Sequence, residues 1–562
     1  MPVSARPPGA AGGTRRRAAG IGLIVALALA LYLPGLGIEI LRHPLEAKYA
    51  LAAREMLHGG PLLVARLFGE LYPDKPPLYF WATAGLAWLR GGRLDEVTAR
   101  LPAAAGALAT LLLVYRLGTD LFGARAGLLS ALVLATSNLF FWYARQGHPD
   151  QFLTAFVTLA CLGLWRGLGS GGARWAVVAY AAMALGVLSK GLLGLVLPLL
   201  AGTTYLLATG PARRVPARLR LGLGLGVFLA VVLLWFGPAV AQHGRSYLYE
   251  AVVRQHLVRY TQTWVHAEAW YYYLGEFTAE FFPWVLFLPG AMVLGWRSGP
   301  GGAGGDAGSD GGPPQPFRFP LAWFASGFVF FSLSTSKRGA YLLPLYPAAA
   351  LMVGWLWDRA LAGPRRSRWV GVPLALVSGA AALLAVGLAV TPRRLIPGRM
   401  VDTLVPADPA RLAALVALLL AGALAVCLPW RRGRPAATFG VLVGVLGALL
   451  LAVATVRGPQ YEARFPVRDF AGRVRAAVPP GLPLLSLLVD YSFIVAFYLE
   501  RPIQPLPGPS ELLAVRSPTE PRYALVDNDD GEVFEHRGVV PLEETRLGPR
   551  RVVLVRLDPL PR

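Results

Sequence analysis

The sequence predicts a polytopic α-helical membrane protein with a small α/β domain at its C-terminal end. Three observations predict this. Of the 562 residues, 55% are hydrophobic and only 15% are charged, and mean hydropathy is +0.50. A soluble chain of this length would carry more charge and shorter apolar runs. Apolar stretches long enough to span a bilayer recur through residues 1–457, separated by short arginine clusters. Beyond them, residues 458–562 lose that pattern and alternate like strands and turns.

The net charge of +22 raises nucleic acid as a partner. The basic residues sit between apolar runs, however, as cytoplasmic loops do, and nucleic-acid binding is excluded on that pattern. Cys161 and Cys427 both fall inside apolar runs, so neither a disulfide framework nor a zinc site is indicated.

The first span covers about Gly20–Ile38. Arg15–Arg17 precede it and place the N-terminus in the cytoplasm. TRRRAAG resembles a signal-peptide start, but no A-x-A site follows, so the segment reads as uncleaved. The next loop, 39–100, then lies outside. Within it Leu45–Leu57 is helix-like, with Tyr49, Ala53, Met56 and Leu57 at helical spacing, yet too short to cross. Leu78–Leu89 is short, apolar and aromatic, as an interfacial helix is.

Further spans are predicted at about 101–118, 124–143, 151–168, 174–188, 191–208 and 218–240. A second large outer loop, 241–278, follows. Spans at about 279–297, 319–335, 341–361, 370–391, 410–429 and 436–456 bring the total to about thirteen. Arg116/Arg125, Arg166/Arg174, Arg213–Arg220, Arg365–Arg368 and Arg431–Arg434 all land inside. So does the Gly-rich linker Ser298–Pro316. The odd count puts the tail outside. There Leu482–Asp490, Tyr523–Asp527 and Arg551–Leu557 read as strands, with Tyr491–Tyr498 as a short helix or strand.

With this topology the outer membrane ends carry Glu46, Asp74, Lys75, Arg145, His148, Asp150, Lys190, Arg254, His256, Arg259, Lys337 and Arg338. Charge at a membrane boundary is costly unless it is solvated, paired or used. Both signs converge on the face with the long loops, which points to a site for an anionic substrate. Each residue also has a plainer reading. Ser189-Lys190-Gly191 must be a turn, and Lys190 can snorkel from it. Asp150 can cap the helix that begins at Gln151. Lys337-Arg338 can be juxtamembrane charge. His148, His256 and His266 lack the paired spacing of a zinc site. Trp264, Trp270 and Tyr271–Tyr273 suit an interfacial aromatic belt.

The stretches EAKYALAAREML, LYPDKPPLYFW, HPDQFLTAF, LSKGLLGLVLP, FFPWVLFLPG and KRGAYLLPLYP occur in that order over Gly20–Pro347. As a set they resemble the bacterial branch of the protein mannosyltransferase superfamily, especially the aminoarabinose transferases that modify lipid A. The resemblance implies a GT-C fold with a cavity facing the periplasm, in the bacterial inner membrane. It implies a polyprenyl-phosphate sugar as donor, a lipid or glycan acceptor and no metal or nucleotide cofactor. By resemblance Lys75 and Arg259 hold the carrier phosphate, and Lys190 and Lys337 lie near the lipid headgroup. Asp74, His256, Arg338 and Tyr341 belong to the cavity, and Glu46 and Asp150 are the candidate carboxylates. Relatives usually carry Asp-Glu where this chain has Leu45-Glu46. Either Glu46 takes the acid's role or no base is needed there.

The implied reaction is inverting transfer of a monosaccharide at the outer face, to a lipid A-like or other envelope acceptor. The rivals are an oligosaccharide ligase or polymerase, a transporter or flippase of a lipid-linked sugar, and a structural protein with an outer binding domain. A transporter would show internal repeats and charges deep within helices. A structural protein leaves the shared face of acids, bases and aromatics unexplained.

Overall fold

The computed structural model describes residues 10–559 apart from 42, 170–171, 211–214, 259, 261–267, 299–314, 364–366, 392–407, 489–490, 502, 516, 518, 528–530 and 548–549. Residues 299–314 of the Gly-rich linker, Trp264, His266 and Arg213 fall outside the described residues. The thirteen apolar stretches each coincide with a helix or a broken helix pair. Among the described residues eight helices are long and apolar enough to cross a membrane, or up to ten if each bent pair is one span. The chain is an integral membrane protein of several spans.

The span expected at 124–143 is broken, Ala124–Ala135 and Asn138–Ala144 meeting at 71°. Helix Tyr272–Glu280 occupies the end of the expected outer loop 241–278 and meets Trp284–Arg297, within the span expected at 279–297, at 106° across Pro283. Arg17–Tyr32, Leu193–Thr209 and Arg318–Leu333 are shorter apolar helices. The helix expected to end near residue 240 continues: Leu221–Leu248 bends at Gly244 (φ 73°) and runs on as wider π-type turns over Tyr249–Val258. Polar side chains from Gln242 onward hid this extension from hydropathy.

The chain forms two compact units. The larger holds Met1–Pro34, Pro73–Tyr79 and Pro102–Val453. Its helices approach through small residues, as membrane helices do without a hydrophobic force between them. A Cβ built on Gly194 would lie 2.3 Å from the Gly186 carbonyl carbon, so only glycine lets these two helices pack. Aromatic rings fill the interior elsewhere, Trp357 and Trp284 flanking Phe439 at 5.1 and 5.9 Å.

The smaller unit combines Gly35–Tyr72, Phe80–Leu101 and Ala454–Arg562. The loop contributes helices Pro44–Leu57 and Leu78–Leu89, as expected, and a hairpin of β1 (Arg66–Leu67) with β2 (Glu70–Leu71). The tail forms a five-stranded sheet from β3 (Leu484–Ser486), β4 (Ile503–Pro505), β5 (Arg522–Asp527), β6 (Val539–Leu547) and β7 (Arg550–Leu557). Its order is β4-β3-β5-β7-β6, with β3 parallel to β4 and β5 and the β7 pairings antiparallel. Tyr491–Leu499 resolves as a helix. Beside Val467–Ala477 it covers one sheet face, burying Phe470, Val474, Ile494, Leu525 and Leu554 with Ala47, Ala50 and Leu51 of Pro44–Leu57.

Candidate active site

Helix Asp150–Leu168 packs antiparallel to Gly172–Lys190, so the start of one and the end of the other share a membrane face. Lys190 closes its helix because Gly191 adopts φ 95°, the left-handed geometry that ends helices, and Gly191 N donates to Val187 O at 2.8 Å. The required turn is there. Each helix dipole favours the charge placed at its end, an acid at the N-terminus and a base at the C-terminus.

Lys190 donates directly to Asp150 Oδ1, and Asp150 is only 4% exposed. Asp150 therefore does more than open a helix; its side chain is committed to a partner 40 residues away. Lys190 also stands 5.4 Å from the Tyr341 ring. His148 and Arg338 lie within electrostatic reach of the carboxylate, and Tyr143 faces Asp150, Arg338 and Tyr341. Five predicted residues, Asp150, Lys190, His148, Arg338 and Tyr341, thus gather in one place. Tyr143 was not foreseen, because it sits inside an apolar run.

The sequence places Tyr273 in an interfacial aromatic belt. The structure divides that belt: Tyr271 is exposed, whereas Tyr273 is buried and its hydroxyl accepts from Arg338 N at 3.1 Å. It fixes the backbone that presents Arg338.

Asp74 and Lys75 lie in the segment that leads to Tyr79, whose ring meets Phe152 at 5.4 Å. This packs the segment against the first turn of the Asp150 helix. Gln255 donates to Asp74 Oδ1 at 2.9 Å, and half-buried Lys75 donates to the Asp74 carbonyl at 2.9 Å. Arg259 lies outside the described residues, and of His256 only the backbone is described. The neighbouring Tyr260 carbonyl accepts from Thr335 N at 3.2 Å, tying this stretch to the strand-like segment before Lys337.

Arg145 has a structural role: it donates to the carbonyls of Leu31, Tyr32 and Pro34 at 3.0, 3.2 and 2.6 Å, closing the end of the first helix. Lys337 is buried and donates to Ser334 O and to Glu268 O. Burial pushes its pKa down, and the Glu268 charge works against that shift.

Glu46 belongs to the smaller unit. It is 2% exposed and meets Arg100 in a bidentate pair, Nε to Oε1 at 2.7 Å and Nη2 to Oε2 at 3.1 Å. Arg100 also donates to the carbonyls of Leu36, Glu39 and Ile40 at 2.7, 2.6 and 2.8 Å. With both oxygens on a permanently charged guanidinium, Glu46 is a poor proton acceptor and a strong anchor. Among the described residues no three His, Cys, Asp or Glu side chains form a candidate metal site.

Residues 74–236 match the family of dolichyl-phosphate-mannose-protein mannosyltransferases. An undecaprenyl phosphate-α-4-amino-4-deoxy-L-arabinose arabinosyl transferase of Pseudomonas fluorescens is 31% identical over 65% of this chain and 64% of its own length. A transferase of the same name from Edwardsiella ictaluri is 29% identical over 61% and 60%. The chain thus spans somewhat under two thirds of the length of these relatives. The crystal structure of ArnT from Cupriavidus metallidurans bound to undecaprenyl phosphate superposes with a TM-score of 0.77, covering 96% of this chain and 99% of that one at 22% identity.

The chain has the fold of that structure, of GT-C type. The archaeal oligosaccharyltransferase AglB from Archaeoglobus fulgidus shares the fold more distantly, with a TM-score of 0.51 over 91% of this chain and 69% of that one at 13% identity. The family match begins at Asp74 and takes in Lys75, Asp150 and Lys190. It stops short of Lys337, Arg338 and Tyr341.

Proposed function

We propose that the protein transfers a monosaccharide from a polyprenyl-phosphate carrier to a lipid or other cell-envelope acceptor, with inversion at the anomeric carbon. The observation that carries this reading is the buried Asp150–Lys190 pair with Arg338 and Tyr341 around it. Relatives named as undecaprenyl phosphate-aminoarabinose arabinosyl transferases supply the donor class. The site opens on the periplasmic face of a bacterial inner membrane, with the N-terminus cytoplasmic and the tail periplasmic. Arg15 and Arg17 ahead of the first span support that orientation.

In the proposed reaction an acceptor oxygen attacks the anomeric carbon opposite the carrier. The bond from that carbon to the phosphate oxygen breaks, and its electron pair stays on the phosphate. Cations must meet the developing charge, and Lys75 and Arg259 are assigned that task, Arg259 as a planar fork and Lys75 as a point charge. Arg338 and Lys190 add positive potential. A hydroxyl acceptor must lose a proton, and Asp150 receives it on Oδ2, since Lys190 occupies Oδ1. A phosphate acceptor arrives ionised and needs no base. The donor is activated and lipid-bound, so the reaction as proposed calls for neither a nucleotide nor a metal.

The test is transfer by purified full-length protein offered a panel of polyprenyl-phosphate sugars, with released polyprenyl phosphate followed by mass spectrometry. Release from one monosaccharide donor, lost in Lys75→Ala or Arg259→Ala, is expected. Release only from oligosaccharide donors would favour a ligase. Full activity with both cations replaced would overturn the phosphate clamp.

A further inference from the structure

Lys337 and Arg338 are neighbours, yet they serve different surroundings. Arg338 has extended backbone (φ −147°, ψ 142°), so successive side chains leave the chain on opposite sides. Arg338 faces the Asp150 cluster. Lys337 faces a cavity of about 550 Å³ lined also by Glu268, Trp270, Ser332, Leu333, Ser334 and Thr335.

The chemistry of this cavity is two-signed. Two of the three Lys337 ammonium hydrogens go to carbonyls, which leaves one for a ligand. The Ser334 hydroxyl donates to Ser336 O at 3.1 Å and that of Thr335 to Tyr260 O at 3.0 Å. Their protons are used, so toward a ligand both hydroxyl oxygens can only accept. Glu268 adds an exposed carboxylate close enough to interact with Lys337. An anion alone would suit Lys337 and be repelled by Glu268. A ligand with one phosphate and one hydrogen-bonding cation satisfies both.

The rim is apolar and open. Trp270 is 70% exposed, Leu333 71%, and Val329, one turn earlier on the same helix, 56%. At a membrane boundary such a rim is wetted by lipid chains, and an indole face also attracts an ammonium group. We propose that this cavity seats a bilayer phospholipid of the phosphoethanolamine class, its phosphodiester on Lys337 and its primary ammonium on Glu268, the two hydroxyl oxygens and Trp270. The acyl chains lie along Leu333 and Val329. The proposal does not rest on the transfer reading.

The test is lipid retention by the full-length protein, exchanged into nanodiscs of phosphatidylglycerol with or without phosphatidylethanolamine and released for native mass spectrometry. Retention of one phosphatidylethanolamine in preference to phosphatidylglycerol is expected. Glu268→Gln, at an exposed position that tolerates substitution, should erase the preference. Lys337→Gln should lower retention of both lipids about tenfold, the scale of one charge-assisted hydrogen bond. No retained lipid, equal retention of the two, or an unchanged preference in Glu268→Gln would overturn the proposal. Displacement of the lipid by added polyprenyl phosphate would also overturn it, assigning the cavity to the carrier. No arm uses turnover, so a failure here leaves the transfer reading standing, and the reverse.

Discussion

Asp150 and Lys190 form an ion pair between the first residue of one helix and the last residue of the next, both side chains nearly sealed from solvent. The pair locks a helical hairpin and charges the site at once. Breaking a buried pair by removing one partner typically costs about 3–5 kcal/mol, because the other charge is left uncompensated.

Asp150→Asn and Lys190→Met should therefore each lower thermal stability, and the double variant should recover most of the loss. Turnover should not recover with it. For a hydroxyl acceptor the fall in kcat should be about 10²–10⁴-fold, the usual contribution of a general base. A double variant with the parent kcat would remove Asp150 from the chemistry.

Glu46→Gln should behave differently. It leaves Arg100 charged among carbonyls in the smaller unit, at a cost of about 3–5 kcal/mol, while kcat and KM of the folded fraction stay at the parent values. Glu46→Leu combined with Arg100→Met should restore stability. Melting curves and steady-state kinetics separate the cases, and a loss of kcat at unchanged Tm would place Glu46 in the reaction.

The close approach at Gly194 predicts a third effect. Gly194→Ala puts a methyl 2.3 Å from backbone carbon and must spread the hairpin that carries Lys190. Overpacking of this kind costs about 1–3 kcal/mol, and turnover should fall with it. Gly222→Ala, with nothing within 4 Å of its added carbon, is the matched control and should change stability by less than about 0.5 kcal/mol. Equal behaviour of the two variants would refute the packing account.

Lys337 predicts a pH dependence. Burial lowers its pKa in the folded chain, offset in part by Glu268. Between the lowered value and that of an exposed lysine, the unfolded chain holds the extra proton. Stability must then rise with pH through that window, and below it burial of the charged form is a standing cost. Lys337→Met should flatten that limb of the Tm–pH curve. Lipid retention should move the other way in the parent, falling as Lys337 loses its proton. A parent and variant with the same alkaline slope would contradict the assignment.

Hydropathy located every apolar helix because twenty-residue windows average over local detail. The same averaging hid the breaks at 71° and 106°, which one proline or a two-residue interruption produces. Lys190 was legible because two apolar runs too long for one span forced a turn at Gly191. Asp150 was legible as an acid at a helix start, but its partner was not, since pairing depends on which helices become neighbours. Glu46 misled for that reason: its residue type and place suit a base, and only the fold brings Arg100 to it. In the tail the alternation found β3, β5 and β7. It missed β4 (Ile503–Pro505), three residues ending in proline, and β6, where Pro541 and the adjacent Glu543 and Glu544 break the alternation.

The smaller unit is assembled from both ends of the chain, with Tyr498 of the tail accepting from Leu41 N at 2.8 Å and Arg468 reaching Glu96 at 2.6 Å. Roughly 350 residues separate its two halves in sequence. At a translation rate of about 5–20 residues per second, the loop half waits roughly 20–70 s for its counterpart to be made. During that interval Ala47, Ala50 and Leu51 of Pro44–Leu57 lack the tail partners that bury them in the finished unit. The nascent protein is then most exposed to proteases and holdase chaperones at its first loop, and a ribosome that stops before the tail leaves that helix permanently without its cover.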